Sequence, residues 1–129
     1  MILAIDPGRE KCGLAVLNAS AASLEKKIVK RGDLEGEVVS LIAKYGVKTI
    51  VIGDAGDSKA AEKQLIKLDL KANIVFVPEK NSTLEARRRY WKENPPGGLL
   101  RLIPTSLIPL PRPVDDYAAV ILGERYLKG

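Results

Sequence analysis

Residues 1–17, MILAIDPGREKCGLAVL, contain two short apolar runs separated by a turn. The runs ILAID (2–6) and CGLAVL (12–17) have the length of strands, and the intervening PGREK begins with the turn formers Pro and Gly. This pattern predicts a β-hairpin whose first strand is buried. Asp6 ends that strand and is the first charged side chain of the sequence.

Beyond the hairpin, strand and helix patterns alternate. The predicted elements are a third, more exposed strand at 25–31, a helix at 34–45 ended by Gly46, a buried strand at 49–53, a helix at 59–71, a buried strand at 73–77, a helix from Ser82 to about Glu93 opened by a capping box, and a last helix at 114–128. Antiparallel strands followed by alternating strands and helices predict an α/β fold, a mixed five-stranded sheet with helices on both faces.

Residues 94–113 interrupt this alternation. They hold six of the eight prolines and two adjacent glycines, which predicts a long irregular loop. We call this segment the Pro-rich loop. The 129 residues suit one domain spanning 1–129.

Composition limits the cellular setting and the partners. The sequence opens with an acid at position 6 and has no apolar run near the roughly 20 residues of a membrane span, so we expect a cytoplasmic protein without membrane contact. The single cysteine, Cys12, allows no internal disulfide, and we expect it to be buried in the core. A formal net charge of +5 favours a polyanionic partner.

The sequence has no histidine. This excludes Ser-His-Asp and Cys-His catalysis as well as zinc sites with histidine ligands. Acid-base or metal chemistry must therefore use Asp, Glu, Lys or Tyr.

Acidic residues follow the predicted strands. Asp6 lies at the carboxyl end of a buried strand, where open α/β sheets bind ligands, but Asp-Pro-Gly is also good turn chemistry. Glu79 follows the strand at 73–77 and would share the edge of Asp6, or it is a solvated loop carboxylate. Asp54 ends the strand at 49–53 and is a further acid for the same edge.

The last helix begins with two aspartates. Carboxylates at this position also favour the positive end of the helix dipole. Helical phase nevertheless separates them: we expect Asp115 to point across the sheet and Asp116 to face solvent. Asp57 is expected to cap the helix at 59–71.

Carboxylates that converge on one edge repel each other unless a cation neutralises them. We therefore expect Mg²⁺ or Mn²⁺, hard cations that prefer carboxylate oxygens, to be held by Asp6, Glu79, Asp115 and Asp54. Two such ions can activate water and stabilise the leaving oxygen of a phosphodiester, so this chemistry needs no histidine.

Basic residues near that edge are candidates for contacts to a nucleic-acid backbone. Arg9, Lys11 and Lys80 are the best placed, and Arg87 is a further candidate from the run Arg87–Arg89. The alternative for that run is a solvated face with one salt bridge to an acid such as Glu85. Trp91 either stacks on a base or, as we slightly favour, packs against the Pro-rich loop.

Three segments together resemble one known family. MILAIDPGREKCGLAVL (1–17), PEKNSTLEARR (78–88) and VDDYAAVILGERYL (114–127) are similar to the opening hairpin, the acidic segment before a Thr-rich helix start and the closing helix of the YqgF family. This family is the RuvC-like branch of the RNase H-like nucleases. The segment GDAGDSK (53–59) departs from the Leu-Pro-Leu pattern usual there, and the Pro-rich loop is longer than typical.

The resemblance implies an RNase H-like fold and a divalent-metal-dependent endonuclease that hydrolyses phosphodiester bonds. Its catalytic acids would be Asp6, Glu79 and Asp115, with Asp54 sharing or replacing part of the role of Glu79. The implied substrates are branched DNA such as Holliday junctions, or precursor rRNA. A homodimer would suit a two-stranded junction, but the sequence does not require one.

Two other functions remain open at this point. The first is a nucleic-acid-binding module that keeps the fold without cleaving. The second is an ATP-dependent phosphotransferase of the actin and sugar-kinase fold, which shares the strand order. Those proteins need two such domains, and the sequence contains neither GxxxxGK[ST] nor GxGxxG.

Overall fold

The computed structural model describes residues 1–129 as five strands and four α-helices. The strands are β1 (Ile2–Asp6), β2 (Lys11–Leu17), β3 (Ser23–Lys30), β4 (Thr49–Gly53) and β5 (Asn73–Val77). The helices are α1 (Leu34–Tyr45), α2 (Ser58–Ile66), α3 (Ser82–Glu93) and α4 (Asp115–Lys128). None of these helices is both long and apolar enough to span a membrane.

The strands form one mixed sheet in the order β3-β2-β1-β4-β5. β2 is antiparallel to both β1 and β3, whereas β1, β4 and β5 are parallel. The predicted mixed five-stranded α/β fold is therefore confirmed. Because the three parallel strands run in one direction, their carboxyl ends meet at the same edge, which we call the carboxyl edge.

One face of the sheet is covered by α1 and α2. Leu3 and Ile5 of β1 are fully buried there and pack in one cluster with Leu34 of α1 and Leu65 of α2. Burial of each such side chain contributes about 1.5–3 kcal/mol. Cys12 belongs to the same cluster, which confirms its expected place in the core.

The other face is covered by α4, and α3 packs on the outer side of α4. The approach of α4 to the sheet is close because small residues face the strands. A Cβ added at Gly123 would lie 2.8 Å from Cδ1 of Leu17. At Gly13, a Cβ would overlap the carbonyl group of Asp115, so this glycine lets the first turn of α4 rest directly on β2.

Of the caps expected at the end of α1 and the start of α3, one agrees with the structure and one does not. Gly46 ends α1 in the left-handed conformation, with φ 64°, as predicted. The capping box at Ser82 is wrong: Asn81 occupies the N-cap position and no side chain caps the helix. The Glu85 carboxylate lies 3.2 Å from the Arg125 guanidinium instead, so an ion pair to α4 replaces the local contact.

α2 is shorter than the predicted 59–71. It ends at Ile66, and Asp69 and Lys71 have positive φ values of 49° and 53°, which break the helical path. Asp57 occupies the N-cap position of α2, but its side chain makes no capping hydrogen bond. It lies 4.0 Å from the Arg31 guanidinium.

β5 and the Pro-rich loop are more exposed than the rest. β5 was expected to be a buried strand, yet it forms one edge of the sheet, and 38% of Phe76 is exposed. The Pro-rich loop is irregular as predicted, with short 3₁₀ turns at Gly98–Leu102 and Thr105–Leu107. Ile108 anchors it as a buried side chain.

Candidate active site

Four acidic residues line one open pocket of about 420 Å³ at the carboxyl edge: Asp6, Glu79 and Asp115, together with Glu10 of the turn after β1, which the sequence had not singled out. Asp6 ends β1, Glu79 follows β5 after Pro78, and Asp115 begins α4. We call this cavity the acidic pocket; its lining residues are Asp6, Pro7, Gly8, Arg9, Glu10, Lys11, Glu79, Thr83 and Asp115. The structure thus brings together the three acids that the sequence singled out.

Asp6 and Glu79 interact directly, and this interaction changes the ionisation of Asp6. Burial raises the pKa of Asp6 to about 8, with further contributions from its hydrogen bond to Glu79 and from the negative charges of Glu79 and Asp115. Asp6 therefore keeps its proton at neutral pH while no cation is near. A bound cation would favour the ionised form and reverse this shift.

The position of Glu79 is fixed from the loop after β4. Its Oε2 accepts a hydrogen bond from the backbone N–H of Ala55 at 3.0 Å. Its own backbone N–H donates to Oδ1 of Asp54 at 3.1 Å. Asp54 does not line the acidic pocket. Its carboxylate instead accepts the hydrogen bond from the Glu79 N–H.

Asp115 is only partly compensated. Its Oδ2 is buried and has no hydrogen-bond partner, although Nζ of Lys11 lies 3.4 Å away. The two atoms are close enough for ionic attraction but not arranged as a hydrogen bond. An unsatisfied buried carboxylate oxygen is costly, which makes this atom a natural ligand for a cation.

Two relatives from Helicobacter pylori strains HPAG1 and J99, each named "Putative pre-16S rRNA nuclease", are 33% and 34% identical to this chain over 93 residues. Each match covers 67% of this chain and 69% of the relative. The chain belongs to the YqgF family of RuvC-like nucleases. No family model matches the chain.

The fold of this YqgF chain is also that of RuvC. The structure of Thermus thermophilus RuvC in complex with a Holliday junction substrate matches it with a TM-score of 0.57 and 14% identity. The match covers 94% of this chain and 88% of RuvC. At this identity, the similarity establishes the RNase H-like fold alone.

Asp116 does not face solvent, so the expectation from helical phase is wrong. It is 5% exposed and accepts hydrogen bonds from Arg112 on both carboxylate oxygens, at 3.1 and 3.2 Å. Its Oδ1 also accepts from the N–H of Tyr117. α4 is apolar almost all round, so its phase is weak, and the end of the Pro-rich loop supplies the arginine that covers this side.

The predicted nucleic-acid-binding residues have different surroundings. Arg9 and Lys11 line the acidic pocket, and exposed Lys80 lines an adjacent cavity of about 330 Å³ that also contains Glu79. Arg87 donates to the carbonyl of Ile108 at 2.6 Å, so its guanidinium already holds the Pro-rich loop.

The other two arginines of that run also differ from each other. Arg89 donates two hydrogen bonds to Glu124, at 3.0 and 2.7 Å. The salt bridge expected as the alternative is present, although its acid is Glu124 rather than Glu85. Arg88 is exposed.

The carboxylates of the acidic pocket fit a hard divalent cation by their chemistry. They offer oxygen ligands only, one of them unsatisfied, and Asp6 holds a proton that a cation would displace. No three acidic side chains of the structure are gathered closely enough to hold a metal ion together. The donor set thus suits Mg²⁺ or Mn²⁺, while its present arrangement is not a finished coordination site.

Arg31 supports the pocket and was not identified from the sequence. Its guanidinium donates to the carbonyl of Gly8 at 2.7 Å and to the side chain of Gln64 at 2.9 Å. It thereby ties the turn after Asp6 to α2. Arg31 is 23 residues from Gly8 in sequence, and no local pattern indicates that contact.

Proposed function

We propose that this chain is a divalent-metal-dependent endonuclease, a hydrolase that cleaves phosphodiester bonds in structured nucleic acid. The observation that carries the proposal is the acidic pocket, which Asp6, Glu79 and Asp115 line together, with burial and the neighbouring acids raising the pKa of Asp6 and with Oδ2 of Asp115 unsatisfied. Such an arrangement costs stability unless a cation binds, as expected of a site built for function rather than folding.

Asp6, Glu79 and Asp115 would hold Mg²⁺ or Mn²⁺ in this proposal. The chemistry that these cations supply when bound is activation of water and stabilisation of the leaving oxygen. Asp54 positions Glu79 through the backbone hydrogen bond, and whether it is also a ligand remains a prediction. Arg9, Lys11 and Lys80 would bind the phosphates on either side of the cleaved bond.

Arg87 contributes to the substrate surface in a different way. Because its guanidinium already donates to the Pro-rich loop, it would contact a phosphate only in addition to that hydrogen bond. We therefore assign the main backbone contacts to the residues in and beside the acidic pocket.

Precursor rRNA is the substrate that we favour over branched DNA. The relatives that are 33% and 34% identical to the chain over 93 residues carry a pre-16S rRNA name, whereas the likeness to RuvC is one of fold. The arrangement of the carboxylates, which are not gathered around one point, favours one alternative: a module of the same fold that binds nucleic acid without cleaving it.

A cleavage assay separates these two functions. Labelled precursor 16S rRNA and four-way junction DNA are incubated with the full chain in Mg²⁺, Mn²⁺ or EDTA. We expect metal-dependent cleavage, faster on the RNA, that Asp6→Asn removes. Asp69→Asn is the matched control because it makes the same exchange in the loop after α2, where Asn tolerates the positive φ. Binding without cleavage in every metal would establish the module instead.

A further inference from the structure

A small cavity lies between α3 and the Pro-rich loop, outside the acidic pocket. Its volume is about 110 Å³. We call it the Trp91 pocket; its lining residues are Leu84, Arg87, Arg88, Trp91, Thr105 and Ser106. The functional site described above makes no use of it.

Trp91 leaves a hydrogen-bond donor unused in this part of the molecule. Its Nε1 is buried and has no partner. An unsatisfied buried donor costs about 1–3 kcal/mol, so native proteins rarely keep one without a reason. Tyr90 contacts the indole edge to face, with ring centroids 5.3 Å apart, and so limits the positions that the ring can take.

The lining of the Trp91 pocket selects the chemistry of a ligand. It contains two arginines and two hydroxyl groups but no carboxylate, so it suits a group rich in hydrogen-bond acceptors. An enclosed cavity of about 150 Å³ holds a ring the size of benzene. The Trp91 pocket is smaller but open to solvent, so it can hold one edge of a single flat ring. Arg87 is held by the Ile108 carbonyl, whereas Arg88 is exposed and can meet a phosphate.

The Trp91 pocket and the acidic pocket both have lining residues from α3. Thr83 lines the acidic pocket and Leu84, the next residue, lines the Trp91 pocket. Trp91 lies eight residues beyond Thr83, which is about 12 Å along a helix axis. A strand with one phosphate at the acids can therefore place a nearby nucleotide at Trp91.

We propose that the Trp91 pocket binds one unpaired nucleobase of the substrate. The base stacks on the indole ring, an oxygen elsewhere on the same strand accepts from the Trp91 N–H in the plane of the ring, and Arg88 binds the adjoining phosphate. This inference rests on the proposed function and narrows it, because it requires substrates with an unpaired base close to the cleaved bond. The competing explanation is that Trp91 only packs against the Pro-rich loop and that water fills the cavity.

The single tryptophan makes the test specific, because all indole fluorescence comes from Trp91. The full chain carrying Asp6→Asn, in EDTA, is titrated with an eight-nucleotide RNA strand, the same strand with abasic sites, and the strand in a duplex. We expect saturable quenching by the intact strand and little by the other two. Equal quenching by all three, or none, would overturn the proposal.

Variants then test the contacts. Labelled single strand is titrated against Trp91→Ala, and the affinity should fall roughly tenfold or more, as for other stacked bases. Thermal unfolding shows whether this variant folds; if it does not, Trp91→Phe, which keeps an aromatic face, should bind the intact strand more weakly than the parent chain. Unchanged affinity in the folded variant would contradict the proposal.

A charge-matched pair tests the phosphate contact. Arg88→Gln should weaken binding of intact and abasic strands alike, whereas Lys92→Gln, on the same helix but outside the Trp91 pocket, should weaken it less. Equal effects would remove Arg88 from the site.

Because these titrations need no cleavage, failure of the proposed nuclease activity would leave their result intact. Cleavage without base-dependent quenching would contradict the base-binding role of the Trp91 pocket alone.

Discussion

Two adjacent aspartates at the start of α4 have opposite surroundings. The Asp116 side chain is 8% exposed, and Arg112 satisfies both of its oxygens. The Asp115 side chain is 31% exposed, and its Oδ2 accepts no hydrogen bond. The Asp116 carboxylate is fully paired and holds the end of the Pro-rich loop, whereas the Asp115 carboxylate has one cation, Lys11, at 3.4 Å and an oxygen without a hydrogen bond. The difference separates a carboxylate that stabilises the fold from the one that we propose as a metal ligand.

The same contrast appears between Asp6 and Glu25. Hydrogen bonds from Lys27, Tyr45 and Lys44 lower the pKa of Glu25 to about 2. Burial and neighbouring acids raise the pKa of Asp6 to about 8. The negative charge of Glu25 on β3 is stabilised by neighbouring cations, whereas a negative charge on Asp6 at the carboxyl edge is opposed by neighbouring acids.

We expect the largest effect in the cleavage rate when each of the two adjacent aspartates is replaced in turn. Asp115→Asn should lower the cleavage rate by roughly 10²–10³-fold, since a metal contact is worth several kcal/mol in the transition state. Asp116→Asn should keep most of the activity but lower the melting temperature. The measurements are single-turnover cleavage of precursor rRNA and thermal unfolding. If both variants lost activity equally, the two acids would not have the separate roles described here.

The next effect concerns stability. Arg112→Gln leaves the buried Asp116 carboxylate without its cation and removes a guanidinium that lies 5.3 Å from the Tyr117 ring centroid. We expect a loss of about 2–3 kcal/mol in the free energy of unfolding. Urea unfolding measures it, with Arg101→Gln, on the exposed part of the Pro-rich loop, as the control. A loss as small as that of the control would show that Asp116 does not need this partner.

A pH-dependent effect is expected at Asp6. Its carboxyl has a pKa of about 8 in the folded protein against 3.8 in the unfolded chain. Between these values the folded state holds a proton that the unfolded state has released, so this group makes stability fall as the pH rises toward 8. Asp6→Asn should remove that fall, and in EDTA it should be the more stable protein at pH 8.

Urea unfolding at pH 5 and pH 8 in EDTA, for the parent chain and Asp6→Asn, measures this difference. Added Mg²⁺ should raise the melting temperature of the parent chain at pH 8 but not that of the variant, because a cation favours the ionised carboxylate. Parallel pH profiles for the two proteins would mean that Asp6 is not opposed by its neighbours.

The smallest effect should come from Asp54. If it only positions Glu79, Asp54→Asn keeps an oxygen for the Glu79 N–H and should lower the cleavage rate by less than about tenfold. A loss as large as that of Asp115→Asn would place Asp54 among the metal ligands. The Mg²⁺ concentration for half-maximal cleavage, measured alongside, distinguishes a weakened metal site from a misplaced Glu79.

Local patterns were enough to predict the framework of the site. Apolar runs with turn formers between them gave the hairpin and the parallel strands, and the direction of those strands places Asp6 and Glu79 at one edge. Gly46, as the end of α1, follows in the same way from the conformational freedom of glycine. Each of these features depends on residues that are neighbours in the chain.

Other features were decided by contacts between distant residues. Asp116 turned out to be buried because Arg112 and the Pro-rich loop cover it, and Arg87 is engaged by a carbonyl 21 residues away. The pKa of Asp6 depends on its burial and then on Glu79 and Asp115, which only the folded structure brings close. The sequence by itself determined which elements form and which acids end them. The tertiary structure alone decided which carboxylates are paired and which keep an unsatisfied oxygen, because charge pairing depends on distances in space rather than along the chain.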